Sequence, residues 1–147
     1  MPRKSTIERA KKDAREGKKP TTQAGEFVRE EMEHIREGKH GARSTKQAIA
    51  IGLSKARHGG VKLDPPTKGT VSEKTRKSAE QAYRKGQSGT KHKVSAKRSR
   101  ASENALKREG RSAASKQALS RQAHEAANRR SARKKTASRS KKSSKAA

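Results

Sequence analysis

Cysteine and tryptophan are missing from this chain of 147 residues, and it holds one phenylalanine and one tyrosine. Without thiols there is no disulfide, no thiolate nucleophile and no cysteine-ligated zinc, a pattern that fits a reducing compartment. So few aromatics leave no platform on which unpaired bases stack, which favours a duplex over single strands among nucleic-acid partners. The longest apolar run is six residues, Ala48 to Leu53, against the roughly 20 that a membrane-spanning helix requires. The opening M-P-R-K-S-T-I-E-R lacks the apolar stretch of a secretory signal. Acidic residues are scarce as well.

Lysine and arginine number 41 against 14 aspartates and glutamates, a net charge of +27 with a pI near 11.3. An ordinary soluble enzyme has no use for that imbalance, and a polyanion partner is the first inference. The charge is uneven: residues 1–64 carry +7 and residues 65–147 carry +20. Large apolar side chains are distributed the opposite way. Nine of them, Phe27, Val28, Met32, Ile35, Ile49, Ile51, Leu53, Val61 and Leu63, fall between Phe27 and Leu63, so a core is expected there.

Helical spacing organises that region. Ala24, Phe27, Val28, Met32 and Ile35 share one face of a helix capped by Thr21 or Thr22, and Glu26, Glu30, Glu31, Glu33 and Glu37 cover the rest. Ser44 with Gln47 three residues on has capping-box spacing and opens a second helix, with Ile49, Leu53 and Ala56 on its apolar stripe and Gly59-Gly60 at its end. The connection G-K-H-G-A-R, Gly38 to Arg43, is short enough to fold the two back on each other. The expected class is therefore mostly α: a short amphipathic helical hairpin over 21–63, cored by Phe27, Val28, Met32, Ile35, Ile49 and Leu53. A polar helix and linker over 1–20 precede it, the helix opened by Ser5 with Glu8 at capping-box spacing. So thin a core predicts a marginal unit that dimerises or orders on its partner.

Asp64-Pro65-Pro66 marks a boundary, and 64–69 reads as a linker. Beyond it the large apolar residues are Val71, Tyr83, Val94, Leu106 and Leu119, too few for a second core. Residues 70–147 thus read as a largely disordered basic arm with nascent helices: one opened by Thr70 with Glu73 and closed by Gly86, one over Ser95–Glu109, and an alanine-rich one from Ser112 to about Lys135. R-E-G-K at Arg15–Lys18 and Arg36–Lys39 returns as R-E-G-R at Arg108–Arg111, each at an expected helix end where glycine takes the left-handed position. T-K-Q-A-I at Thr45–Ile49 is echoed by S-K-Q-A-L at Ser115–Leu119.

Phosphate neutralisation is assigned to Lys39, Arg43, Lys46, Lys55 and Arg57 near the second hairpin helix. Along the arm it is assigned to Lys97, Arg98, Arg129, Arg130, Arg133, Lys134, Lys135, Lys141 and Lys142. Arg43, Lys46 and Gln47 are suitable types for reading base edges, but phosphate contact for the cations and capping for Gln47 is the simpler assignment. Glu30, Glu33, His34 and Glu37 stand at i, i+3, i+4 and i+7, a spacing compatible with a carboxylate–histidine metal site. It reads as a solvated acidic face, so no metal and no cofactor are expected. No Ser/His/Asp set and no phosphate-cradling loop of P-loop type occur, and the chain reads as no enzyme.

The stretch G-K-H-G-A-R-S-T-K-Q-A-I-A-I-G-L-S-K-A-R, Gly38 to Arg57, with the preceding E-F-V-R-E-E-M-E-H-I-R-E-G, resembles a family of small basic bacterial proteins of uncharacterised function, for which DNA binding is at most suggested. Members often carry arginine or lysine after that signature, where His58 stands here. The Lys/Ala/Ser/Arg arm is similar in composition to linker-histone tails. The functional expectation is a non-enzymatic, histone-like, nucleoid-associated protein of the cytoplasm. It would hold duplex DNA by sequence-independent phosphate contacts and dimerise through the hairpin, with no membrane and no small-molecule substrate. The alternatives are a disordered stress-protective protein and an RNA- or ribosome-associated basic protein.

Overall fold

The computed structural model describes residues 2–89 and 95–143, the last seven by backbone alone. Six α-helices follow one another: α1 Lys4–Arg15, α2 Pro20–Arg36, α3 Thr45–His58, α4 Glu73–Gln87, α5 Ala96–Lys107 and α6 Lys116–Ser143, with a single 3₁₀ turn, Ser112–Ala114, before α6. No strand occurs among the described residues.

The Ser44 hydroxyl accepts the Gln47 backbone N–H at 3.2 Å, and the Gln47 side-chain oxygen in turn accepts the backbone N–H of Arg43 at 2.8 Å. This capping box thus closes one residue further out than the standard one. The expected starts of α1, α2 and α4 shift. α1 begins at Lys4 after Arg3, with no side-chain cap. α2 begins on Pro20, whose missing N–H costs nothing in the first turn. α4 is capped by Ser72, which accepts from Thr75 N at 3.3 Å, in place of Thr70. Of the three R-E-G echoes, Gly17 and Gly38 take positive φ of 70° and 77°. Gly110 does not, and its carbonyl instead accepts the Ala42 N–H at 3.0 Å.

α2 is the hub. α1 packs on it from one side and α3 from another, and the contacts with α3 run antiparallel: Phe27 meets Gly59, Glu31 meets Lys55, and Ile35 shares a cluster with Ala48. The buried stripe of α3 is Thr45, Ala48, Gly52, Ala56 and Arg57, while Ile49 and Leu53 are half-buried beside it. Small side chains let the backbones approach: a Cβ on Gly52 would stand 2.7 Å from Val28 Cα. Phe27, Met32 and Ile35 are buried as expected, and Val28 packs half-buried against the cluster that holds Met32 and Ile35.

A free-standing hairpin with a disordered arm is not what this chain forms. α4 packs on α3, burying Ala79 and Ala82, and the 3₁₀ turn buries Ala113 and Ala114 against Met32, Ile35 and Ala48. Polar bonds fix the turn in place, with Arg36 Nε donating to Ala114 O at 2.9 Å and Thr45 Oγ1 to Ala113 O at 2.7 Å. Leu119 and Ile49, equivalent positions in the two K-Q-A segments, pack against the same cluster. The physical reason is alanine. Nine of the thirteen buried apolar residues are alanines, which lose almost no side-chain entropy on burial and permit close helix approach, so scarcity of large side chains did not preclude a core.

Candidate nucleic-acid interface and a buried carboxylate cluster

The cations assigned to phosphate separate into those consumed inside the fold and those left outward. Arg57 is buried, its Nε and Nη2 donating to the carbonyls of Leu63 and Asp64 at 3.1 Å each, and burial lowers its pKa from the ordinary guanidinium value. Lys55 donates to the buried Glu31. Lys39 pairs with Glu37 at 2.8 Å, an interaction that holds the Glu37 carboxyl below its usual range. Arg43 is exposed, and Lys46 is exposed but pairs with Glu125 of α6 at 2.8 Å.

That pair joins the start of α3 to the third turn of α6 across a polar cleft lined by Arg43, Ser44, Lys46, Ser115, Arg121 and Glu125. The N-termini of both helices border it, with Ser44 capping one and Ser115 the other, the latter accepting from Ala118 N at 3.1 Å. Arg121 lines the same cleft as Arg43, although 78 positions separate them. Sequence reading missed it because a lone arginine on a presumed disordered arm has no neighbours, yet the S-K-Q-A-L echo hinted that this segment repeats the start of α3.

Past Glu125 the described face of α6 is cationic. Arg129, Arg130, Arg133 and Lys134 are exposed along one side of the helix and Lys135 is exposed on another, as are Lys97 and Arg98 on α5. Lys141 and Lys142 lie on the α6 backbone, and their side chains fall outside the described residues. From its start to Ser143, α6 spans 28 residues, about 42 Å at 1.5 Å per residue.

A second site sits under α2. Glu30 and Glu31, expected on a solvated face, are both fully buried, because α1 covers one and α3 with the 37–44 connection covers the other. Glu30 Oε1 accepts the Arg3 backbone N–H at 2.8 Å and faces His34 Nε2 at 3.5 Å. Glu31 Oε2 accepts from Lys55, and Glu31 Oε1 lies 3.3 Å from His40 Nε2. The remaining oxygens, Glu30 Oε2 and Glu31 Oε1, have no hydrogen-bond donor, a state that costs roughly 1–3 kcal/mol per group or more when charged. Burial, reinforced by the Lys55 charge, lowers the pKa of His34. The His34 and His40 rings meet edge to face, 6.0 Å apart. Sequence spacing singled out Glu30 and His34 but not Glu31 or His40, since His40 arrives from the loop after the helix.

Residues 4–69 match a family of unknown function, DUF6496. The match runs from α1 through the segment after α3 and leaves α4, α5 and α6 outside it, so it covers less than half of the chain. No curated protein and no solved structure matches. No described helix is long and apolar enough to cross a membrane.

Proposed function

We propose that this chain is a non-enzymatic DNA-binding protein of the histone-like, nucleoid-associated kind, and that α6 lies along duplex phosphates while the α1–α4 body anchors it. The observation that carries the reading is the charge of α6: ten lysines and arginines against the single acidic residue Glu125. A duplex presents one negative charge per about 1.7 Å of axis, so a cationic helix of this length lies opposite more than a dozen phosphates. Like charges at Arg129/Arg133 and Arg130/Lys134 stand one helical turn apart, a repulsion of about 0.2–0.5 kcal/mol per pair. Phosphates would relieve it. Arg43, Lys46 and Arg121, converging beside two helix N-termini, give the duplex a second anion-favouring contact.

Direct base reading has little support, because Gln47 is engaged in the α3 cap and Arg43 and Lys46 face the cleft. Phosphate recognition of this kind is indifferent to sequence. The test is competition binding of the full chain with random-sequence duplex DNA, duplex RNA and single strands, alongside a variant with Arg129, Arg130, Arg133, Lys134 and Lys135 changed to glutamine. The proposal expects duplex DNA to compete best. It also expects the variant's log K against log salt slope to fall by up to about 4.5, at ~0.9 for each phosphate left without its cation. Preference for structured RNA would move the assignment to an RNA or ribosome partner. An unchanged slope would remove α6 from the interface.

A further inference from the structure

We infer that Glu31, His34 and His40 form a binding site for a zinc-like divalent metal ion that clamps the 37–44 connection to α2. The three residues each offer a donor atom within 4.8 Å of the others. The set of two imidazoles and one carboxylate suits zinc, with room for a fourth ligand. Magnesium and calcium, which prefer oxygen, do not fit it.

Hydrogen-bond logic makes the case stronger than proximity alone. His40 Nδ1 lies 3.0 Å from Gly41 O, and a carbonyl only accepts, so Nδ1 carries the hydrogen of that bond. In the neutral ring this leaves Nε2 as a bare lone pair. Nε2 lies 3.3 Å from Glu31 Oε1, a fully buried carboxylate oxygen with no donor of its own. Two facing acceptors call for a cation between them. Their separation equals the edge of a tetrahedron with metal–ligand bonds of 2.0–2.1 Å, about 3.3 Å. His34 closes the remaining gap, at most about 1.5 Å on that geometry. The backbone carbonyl on the far nitrogen of His40 is the partner that commonly fixes a ligating histidine. Lys55 keeps the other oxygen of Glu31, which leaves Oε1 for the ion. A route in exists, since His40 borders a cleft shared with Glu37, Lys107, Glu109 and Arg111.

The clamp has a structural consequence. Gly41 N donates to Leu106 O at 2.9 Å and Ala42 N to Gly110 O at 3.0 Å, so the connection that carries His40 also holds the end of α5 and the turn leading into α6. An ion on His40 would stiffen the joint between the two halves of the chain. The rival cation is a proton, which would make His40 an imidazolium paired with Glu31.

Calorimetric titration of the chelator-stripped full chain with zinc chloride separates the two. The inference expects one equivalent bound, a raised thermal midpoint with zinc but not magnesium, and a shifted His40 Nε2 resonance. His40→Gln should weaken zinc at least tenfold, and His124→Gln should not. If His40→Gln proves unfolded by circular dichroism, His34→Gln decides by the same titration. Absence of stoichiometric zinc in the unmodified chain would overturn the site and leave the proton as its occupant. Unweakened binding in the folded His40 or His34 variant would equally overturn it. Either result leaves the DNA assignment untouched.

Discussion

Gly86→Ala distinguishes a docked α4 from a loose helical arm by the sign of its effect. In an exposed or nascent helix the substitution stabilises by about 1 kcal/mol, because alanine is the better helix former. Here a Cβ at Gly86 would stand 1.8 Å from Arg57 O and 2.9 Å from Arg57 C. Ordinary contact starts near 3.4 Å, so α4 and the end of α3 would have to part by about 1.6 Å. Backbone cannot swing aside as a lysine tip can. Overpacking of this kind costs typically 1–3 kcal/mol, which cancels or exceeds the propensity gain. We predict a net loss near 1 kcal/mol, or undocking of α4 with loss of the Gln87-to-Gly60 hydrogen bond of 3.2 Å. Urea unfolding of the full chain followed by circular dichroism reads the free energy, and amide exchange over Ala79 to Gly86 reads the docking. A variant more stable than the parent, with α4 amides no better exposed, would refute the packing of the basic half.

Ile35→Ala should destabilise by about 2–5 kcal/mol, since Ile35 is fully buried at the meeting of α2 with the 3₁₀ turn, and urea midpoints at unchanged slope check it. Ser44→Ala should cost about 0.5–2 kcal/mol through loss of the α3 cap, visible in the same assay. Gly41→Ala, whose Cβ would fall 1.9 Å from Glu109 O, should release α5 and the turn while leaving α1 to α3 protected from amide exchange. In chelator, stability should fall as pH drops through and below the ordinary imidazole range near 6.5. His34, facing Lys55, Glu30, Lys39 and Arg3, has a folded pKa below its unfolded one, so the unfolded chain binds the proton first. His34→Gln should flatten that limb, and an unchanged limb would assign it elsewhere.

The apolar spacing of Phe27, Met32 and Ile35 and the Ser44 cap were readable because each rests on neighbours in sequence. What lay hidden depends on neighbours in space. Glu30 and Glu31 look like a solvated face until α1 and the 37–44 connection are laid over them. Arg57 looks like a free cation until Leu63 and Asp64 fold back to its guanidinium. The docking of Ala79, Ala82, Ala113 and Ala114 was invisible to a count of large side chains, because their contribution comes from close approach rather than from area per residue. The Arg43–Lys46–Arg121 cleft needed the two halves in register, which only the K-Q-A echo foreshadowed.

The central claim is that unbalanced cations on this helical body exist to neutralise duplex phosphates. Affinity of the full chain for a random-sequence DNA duplex, measured from 50 to 200 mM salt, tests it most directly. With six or more phosphates engaged, log K should fall against log salt with a slope of about −5 or steeper, and equally for unrelated sequences. A flat dependence, or no binding at 50 mM, would contradict the account.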